Sequence, residues 1–282
     1  LVLKEKCTDT MFYLFSTNTD REIFRFGREG RGVCEFYYPF FLVNSFAYDS
    51  LIIYDSPAAT LTKIDLAALV ESRDIAKCAN SEHLYRNLNF MYNFNKIDSA
   101  FIGTFIEKDE GLFSFCNRNN GEIKNTDYVP YYFYEKGRKD AYCHHVLVSE
   151  KDNSIIVPFK YMNLINCYDL DGNLKVTYAL DWIKEEINTQ IRVDEHTTVT
   201  FYRTYATRNR CYLVWDGHKI EEELRKYPAK IVVMNWQGEL EKVYQLDNFA
   251  DFIIPDEKQR MIYVGVYNAG LEFVEIYKYP ML

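Results

Sequence analysis

The run from Ser154 to Tyr178, SIIVPFKYMNLINCYDLDGNLKVTY, decides the fold. Ser154-Ile155-Ile156-Val157-Pro158 and Leu164-Ile165-Asn166-Cys167-Tyr168-Asp169 are apolar segments of strand length, rich in β-branched residues. Asp171-Gly172-Asn173 supplies a turn, because these residues tolerate the left-handed backbone of a tight reversal, and Leu174-Lys175-Val176-Thr177-Tyr178 returns as a strand. His145-Val146-Leu147-Val148 precedes the set. Four short strands joined by tight turns form a small sheet that must stack on others to bury its faces, which is the propeller blade.

The same rhythm extends in both directions. Upstream, Met11–Phe15 with Glu22–Phe26 and Leu51–Asp55 with Leu61–Asp65 form two pairs, and Gly111–Phe115 with Asn119–Ile123 a less regular third. Downstream, Cys211–Trp215 leads to Ile231–Met234 and the turn Trp236-Gln237-Gly238, and Met261–Val266 leads to Leu271–Ile276. A further apolar stretch precedes each later pair, as in Phe41–Val43, Ala100–Ile102, Val199–Tyr202 and Asp251–Ile254. Six units in 282 residues give about 47 residues each, a propeller spacing. The expectation is therefore an all-β, six-bladed β-propeller of four-stranded antiparallel blades, forming one domain over residues 1–282.

Helical periodicity is confined to 65–77, 181–190 and 219–226, which read as short insertions between strands. An open ring would expose unpaired edges, so a segment near the start, Leu1 to Lys6, is expected to pair with the last blade.

Composition narrows the function. Aromatic residues make up 17% of the chain and the net charge is -8, which argues against nucleic acid or an anionic membrane surface as main partner. No apolar run is long enough to span a bilayer. Leu1-Val2-Leu3 reads as a strand, so a segment preceding it is expected. Seven cysteines, Cys7, Cys34, Cys78, Cys116, Cys143, Cys167 and Cys211, form no CxxC pair and read as small buried hydrophobes.

The junction after the first unit, Phe26-Gly27-Arg28-Glu29-Gly30-Arg31-Gly32-Val33-Cys34-Glu35-Phe36, resembles the GxxGxGPGEF pattern of the TolB-like six-bladed propellers of Bacteroidetes. Gly27, Gly30, Gly32, Glu35 and Phe36 match, while Val33 and Cys34 replace Pro-Gly. The resemblance implies a cell-envelope protein, periplasmic or lipid-anchored at the outer membrane, of unassigned activity, and supplies no catalytic residues. No GK[ST] follows, so the glycines are not a phosphate loop.

Propellers bind ligands where the starts of the inner strands converge. In the fourth unit that region is Tyr142-Cys143-His144-His145, and in the fifth Glu195-His196-Thr197 followed by Arg203 and Tyr205. His144 and Arg203 are the candidates for orienting an anionic or hydroxylated ligand, with Tyr205 as a stacking or hydrogen-bonding surface. A metal held by His144 with Glu195 or His196 is set against a hydrogen-bonded structural histidine, and the latter is preferred. Adjacent strand residues face apart, so Cys143 beside His144 is not a nucleophile-base pair. The aromatic run Tyr128–Tyr134 reads either as packing between blades or as a surface for sugars or peptides.

These readings favour a non-enzymatic binding or scaffolding propeller that presents a face to a peptide, glycan or protein, without metal or cofactor. The alternative is a polysaccharide- or peptide-cleaving hydrolase or lyase with its site at the channel mouth. No catalytic residue is named for it.

Overall fold

In the computed structural model, the described residues are 1–4, 10–32, 34–42, 49–105, 111–128, 142, 144–180, 193–222, 227–268 and 273–281. They carry six consecutive sheets, and the chain is a six-bladed β-propeller. The first blade comprises Val2–Lys4, Phe12–Ser16 and Arg21–Phe26, and the second Pro39–Phe41, Ser50–Asp55, Thr60–Asp65 and Ala79–His83. The third comprises Met91–Lys96, Ala100–Phe105, Ser114–Asn117 and Ile123–Asn125. Leu147–Ser149, Ser154–Pro158, Leu164–Tyr168 and Leu174–Ala179 make the fourth, and Thr198–Ala206, Arg210–Lys219, Lys230–Asn235 and Leu240–Gln245 the fifth. The sixth comprises Phe252–Asp256, Met261–Asn268 and Phe273–Pro280.

Two compact units divide the chain, Leu1–Phe101 with Cys116–Ile123, and Ile102–Phe115 with Lys124–Leu282. Phe12, Phe26, Phe36, Ile53, Ile64 and Leu69 centre the core of the first. Its glycine-rich junction folds around one carboxylate: Glu35 accepts from the Gly32 amide at 2.7 Å and from Arg28 Nε at 2.7 Å. Gly27 there has φ +71°, and a Cβ would strike the Phe12 ring, so both backbone and packing demand glycine. The helices Leu66–Ser72 and Ile75–Cys78 fall in the first expected insertion, capped by Asp65 and Asp74.

In the second unit, Tyr212, Val214, Ile231, Val233, Ile253, Ile262 and Val264 form one apolar cluster. The fourth blade carries the four expected strands, with Ile155 opposite Tyr168 and Cys167 opposite Val176. Its closing turn is built on Asp169, whose Oδ1 accepts from the Asp171 and Asn173 amides at 3.1 and 2.9 Å. Asn235 does the same for Gln237 and Glu239 in the fifth blade, so the turn chemistry repeats with the blades.

Three expectations need correction. Val2–Lys4 pairs with Phe12–Ser16 inside the first blade, and among the described residues Phe273–Pro280 pairs only with Met261–Asn268, so Val2–Lys4 does not complete the last blade; Glu5 and Lys6 lie outside the described residues. In the third blade Met91–Lys96 is the first strand, which makes Ala100–Phe105 the second and Ser114–Asn117 the third. Lys219 ends a strand and Ile220–Glu222 is a turn, so no helix begins at 219. The expected helix over 181–190 lies outside the described residues. Cys34, Cys78, Cys116, Cys167 and Cys211 are free thiols, and Cys7 and Cys143 fall outside the described set.

Candidate functional site

The first strands of blades four, five and six, Leu147–Ser149, Thr198–Ala206 and Phe252–Asp256, are neighbours within the second unit. The middle one is irregular in a way that creates a site. Phe201 pairs with Trp215 and Arg203 with Val214, so Tyr202 is an extra residue. A bulge takes a residue out of the ladder and re-aims its groups. The Tyr202 carbonyl accepts instead from His145 Nε2 at 3.0 Å and from Arg203 Nη1 at 3.1 Å.

A second bulge lies on the partner strand. Val199 pairs with His218 and Phe201 with Trp215, leaving Asp216 and Gly217 opposite Thr200 alone. Gly217 sits at φ +70°, and a Cβ there would fall inside the Trp215 indole. Thr200 turns its bonds to the hairpin of blade four. Its amide donates to the Lys160 carbonyl at 2.7 Å, and its hydroxyl donates to the Phe159 carbonyl at 2.7 Å. The hairpin is thereby held against blade five, and the Lys160 ammonium lies 4.8 Å and 4.9 Å from the Tyr161 and Tyr202 ring centroids.

Arg203 reaches toward blade six, where its Nε donates to the Asp251 carbonyl at 2.7 Å while its guanidinium carbon sits 3.6 Å from the Tyr202 ring centroid. The second bulge carries a set of buried polar groups that these cations' charge reaches. Asp216 is 4% exposed and His218 1% exposed. Among the described residues, neither carboxylate oxygen of Asp216, neither ring nitrogen of His218, nor the Trp215 indole nitrogen has a hydrogen-bond partner. Burial pushes the Asp216 carboxyl up to about 7, against the pull of Arg203 and Lys160. Burial also holds the His218 imidazole below its ordinary value.

Of the residues singled out from the sequence, Arg203 belongs to this cluster. His144 is half-buried, with Nδ1 on the Tyr142 carbonyl, and burial of the ring holds it down to about 4. Its neighbour His145 is the one that meets Tyr202, and Arg203 and Lys160 reinforce the burial that holds it near 4. Tyr205 packs against the apolar cluster shared by blades five and six. Glu195 and His196 gather with Glu221, and their ligand atoms lie within 4.8 Å of one another on an exposed surface. This trio is the arrangement among the described residues that could hold a metal. His196 Nδ1 is 2.9 Å from Glu221 Oε1, an ion pair when the imidazole is protonated, and Glu221 raises the imidazole's pKa. Tyr128 packs on Tyr142 with ring centroids 4.8 Å apart, while residues 129–134 lie outside the described set.

Lys160, Asp216 and His218 were not among the sequence candidates. The alternation Trp215-Asp216-Gly217-His218 reads as a strand stop at glycine, and only the bulge shows that the strand continues to Lys219. Two polar residues flanking a glycine at the end of an apolar run are the signal that could have found them.

No family model matches the sequence, and no curated protein is similar to it in sequence. Solved structures are similar to it in fold. A member of the DUF4221 family from Bacteroides vulgatus is 11% identical, with a TM-score of 0.57 over 99% of this chain and 89% of that one. A Bacteroides fragilis protein whose name calls it exported is 8% identical, with a TM-score of 0.49 over 95% and 78% of the two chains. Virginiamycin B lyase from Staphylococcus aureus is 11% identical, with a TM-score of 0.44 over 100% and 88%. The first likeness shows the fold, and the other two are too loose to bear an argument. Among the described residues, no helix is long and apolar enough to cross a membrane.

Proposed function

We propose that the protein is a non-enzymatic binding propeller of a bacterial cell envelope, and that it takes its ligand at the polar cluster between the first strands of blades four to six. The observation that carries the reading is the meeting of Lys160 from blade four, Arg203 from blade five and Asp251 from blade six around Asp216, on whose buried carboxyl all three charges act. Polar groups from several blades that converge on a rigid β framework suit recognition. The envelope location rests on the TolB-like pattern from Gly27 to Phe36, and a preceding export or anchor segment is part of the same proposal. Peptides, glycans and protein segments are the partner classes. His144 and Tyr205 enter this reading as support for the site, His144 through the backbone it braces and Tyr205 through the packing of blades five and six.

A thermal-shift screen against pooled cell-wall fragments, oligosaccharides and short peptides tests the proposal. A ligand at a hundredfold excess over its Kd stabilises the native state by about 2.7 kcal/mol, which raises the melting midpoint by several degrees. The expected result is a saturable rise that is lost in Arg203→Ala. Rises that persist in that variant would place binding elsewhere, and no rise in any pool would count against a binding role for this face.

The alternative, a polysaccharide- or peptide-cleaving hydrolase or lyase, draws its support from Asp216, an acid poised near neutrality as general acids are. Turnover of a pool component by the parent but not by Asp216→Asn would favour it.

A further inference from the structure

The binding reading leaves the ligand's chemistry open, and the following rests on that reading. We propose that the Trp215-Asp216-Gly217-His218 bulge, flanked by Lys160 and Arg203, is a binding site for a small ligand that presents a carboxylate.

The argument begins with charge. Lys160 and Arg203 are both cationic, and among the described residues neither stands within ion-pair distance of a carboxylate: Arg203 donates to two backbone carbonyls, and Lys160 lies over two tyrosine rings. Two half-buried cations that form no contact ion pair, beside an Asp216 that burial keeps largely protonated up to about pH 7, favour an anion and repel a metal ion or an amine.

Hydrogen bonding points the same way. Buried polar atoms in native proteins are paired, and an exception calls for an explanation. The indole nitrogen of Trp215 can only donate, and the neutral imidazole of His218 carries one N–H. Asp216 also donates when protonated, a form that its burial favours near neutrality. Each of Trp215, Asp216 and His218 can thus donate, and Asp216 and His218 lie within reach of the charge of Lys160. A neutral sugar would satisfy the donors and leave the cations unmatched. A phosphate would bring a second negative charge against Asp216 and Asp251. A carboxylate carries one charge and two coplanar oxygens, which can be shared between the cations and the donors.

The groups that act on Asp216 are Arg203 on its own blade, Asp251 on blade six and Lys160 on blade four, while His218 meets Glu222 and Lys160. Arg203 and Lys160 also act on His145. Ionisation of Asp216 as the pH rises sets an anion against an anion, so binding should weaken.

Isothermal titration with glucuronate and with acetate, at pH 6 and pH 8, tests the proposal on the full chain, with glucose as neutral control. Both carboxylates should bind at pH 6 and at least about tenfold more weakly at pH 8, where Asp216 is ionised. Lys160→Ala, a change at a partly exposed side chain, should weaken glucuronate about tenfold or more. Asp216→Asn keeps a donor and removes the titration, so its affinity should be equal at the two pH values. The proposal is overturned if neither carboxylate binds saturably at concentrations up to about 20 mM, or if Lys160→Ala leaves the affinity unchanged. Glucose binding as tightly as glucuronate would also overturn it, while leaving the site and the broader binding reading intact. A pH-independent parent would show that Asp216 takes no part and would overturn the assignment of the bulge.

Discussion

Asp216 is a carboxyl group enclosed at 4% exposure with no hydrogen bond to either oxygen, and such a group costs the fold free energy whenever it is charged. Its pKa in the folded protein, about 7, lies above the ordinary 3.8, so the native state binds the proton more tightly than the unfolded chain does. The stability tied to that proton is fully present below pH 3.8 and is lost as the pH rises toward 7, at about 1.4 kcal/mol per pH unit. The advantage of Asp216→Asn over the parent should therefore grow by about 2 to 4 kcal/mol between pH 4.5 and pH 8, as measured by urea denaturation at the two pH values. Equal stability at pH 8 would mean that the carboxylate finds a partner in solution. The variant-minus-parent difference is the quantity to read, because His144 and His145 act in the opposite sense. Burial lowers both imidazoles from 6.5 to about 4, so their contribution is lost as the pH falls through that window.

The paired bulges of the fifth blade do work that regular strands could not. Regular pairing would tie the Tyr202 carbonyl into the ladder and turn Asp216 and His218 to fixed alternate positions. Gly217→Ala tests the arrangement, since it imposes a left-handed conformation on an L-residue and drives a methyl into the Trp215 ring. A loss of about 2 to 4 kcal/mol is expected in chemical denaturation, against a few tenths for Gly→Ala at an unconstrained turn. Elements were legible in the sequence where alternation and turn chemistry agreed. Ser154–Pro158 and Leu164–Tyr168 announce themselves through isoleucine, valine and leucine, and Asp169 closes the turn that Asp171-Gly172-Asn173 signals. Met91–Lys96 was missed because Asn93 and Asn95 break its apolar pattern and Asn93 has φ +49°. The site was half legible. Arg203 stands out as a charge within a strand, whereas Asp216 and His218 are brought in by a bulge and Lys160 by a hairpin of the preceding blade, relations that no local pattern records.

The blade rhythm runs from the first strand to the last, and we propose that residues 1–282 fold as one domain. Differential scanning calorimetry should then show a single transition with equal calorimetric and van't Hoff enthalpies. Two resolved transitions would mean that the compact units Leu1–Phe101 with Cys116–Ile123 and Ile102–Phe115 with Lys124–Leu282 unfold independently. Within the second unit, the contacts of Thr200 bear on how the molecule can be divided. In many repeat proteins neighbouring repeats cohere through side chains, so repeats can be deleted, exchanged or cut apart with little regard to the seam. Between blades four and five the seam is crossed by main-chain hydrogen bonds, from the Thr200 and Phe201 amides to the carbonyls of Lys160 and Phe159. A blade transplanted or a circular permutant opened at this seam would strand these donors and acceptors, so the fourth and fifth blades form one indivisible module for anyone who re-engineers the ring.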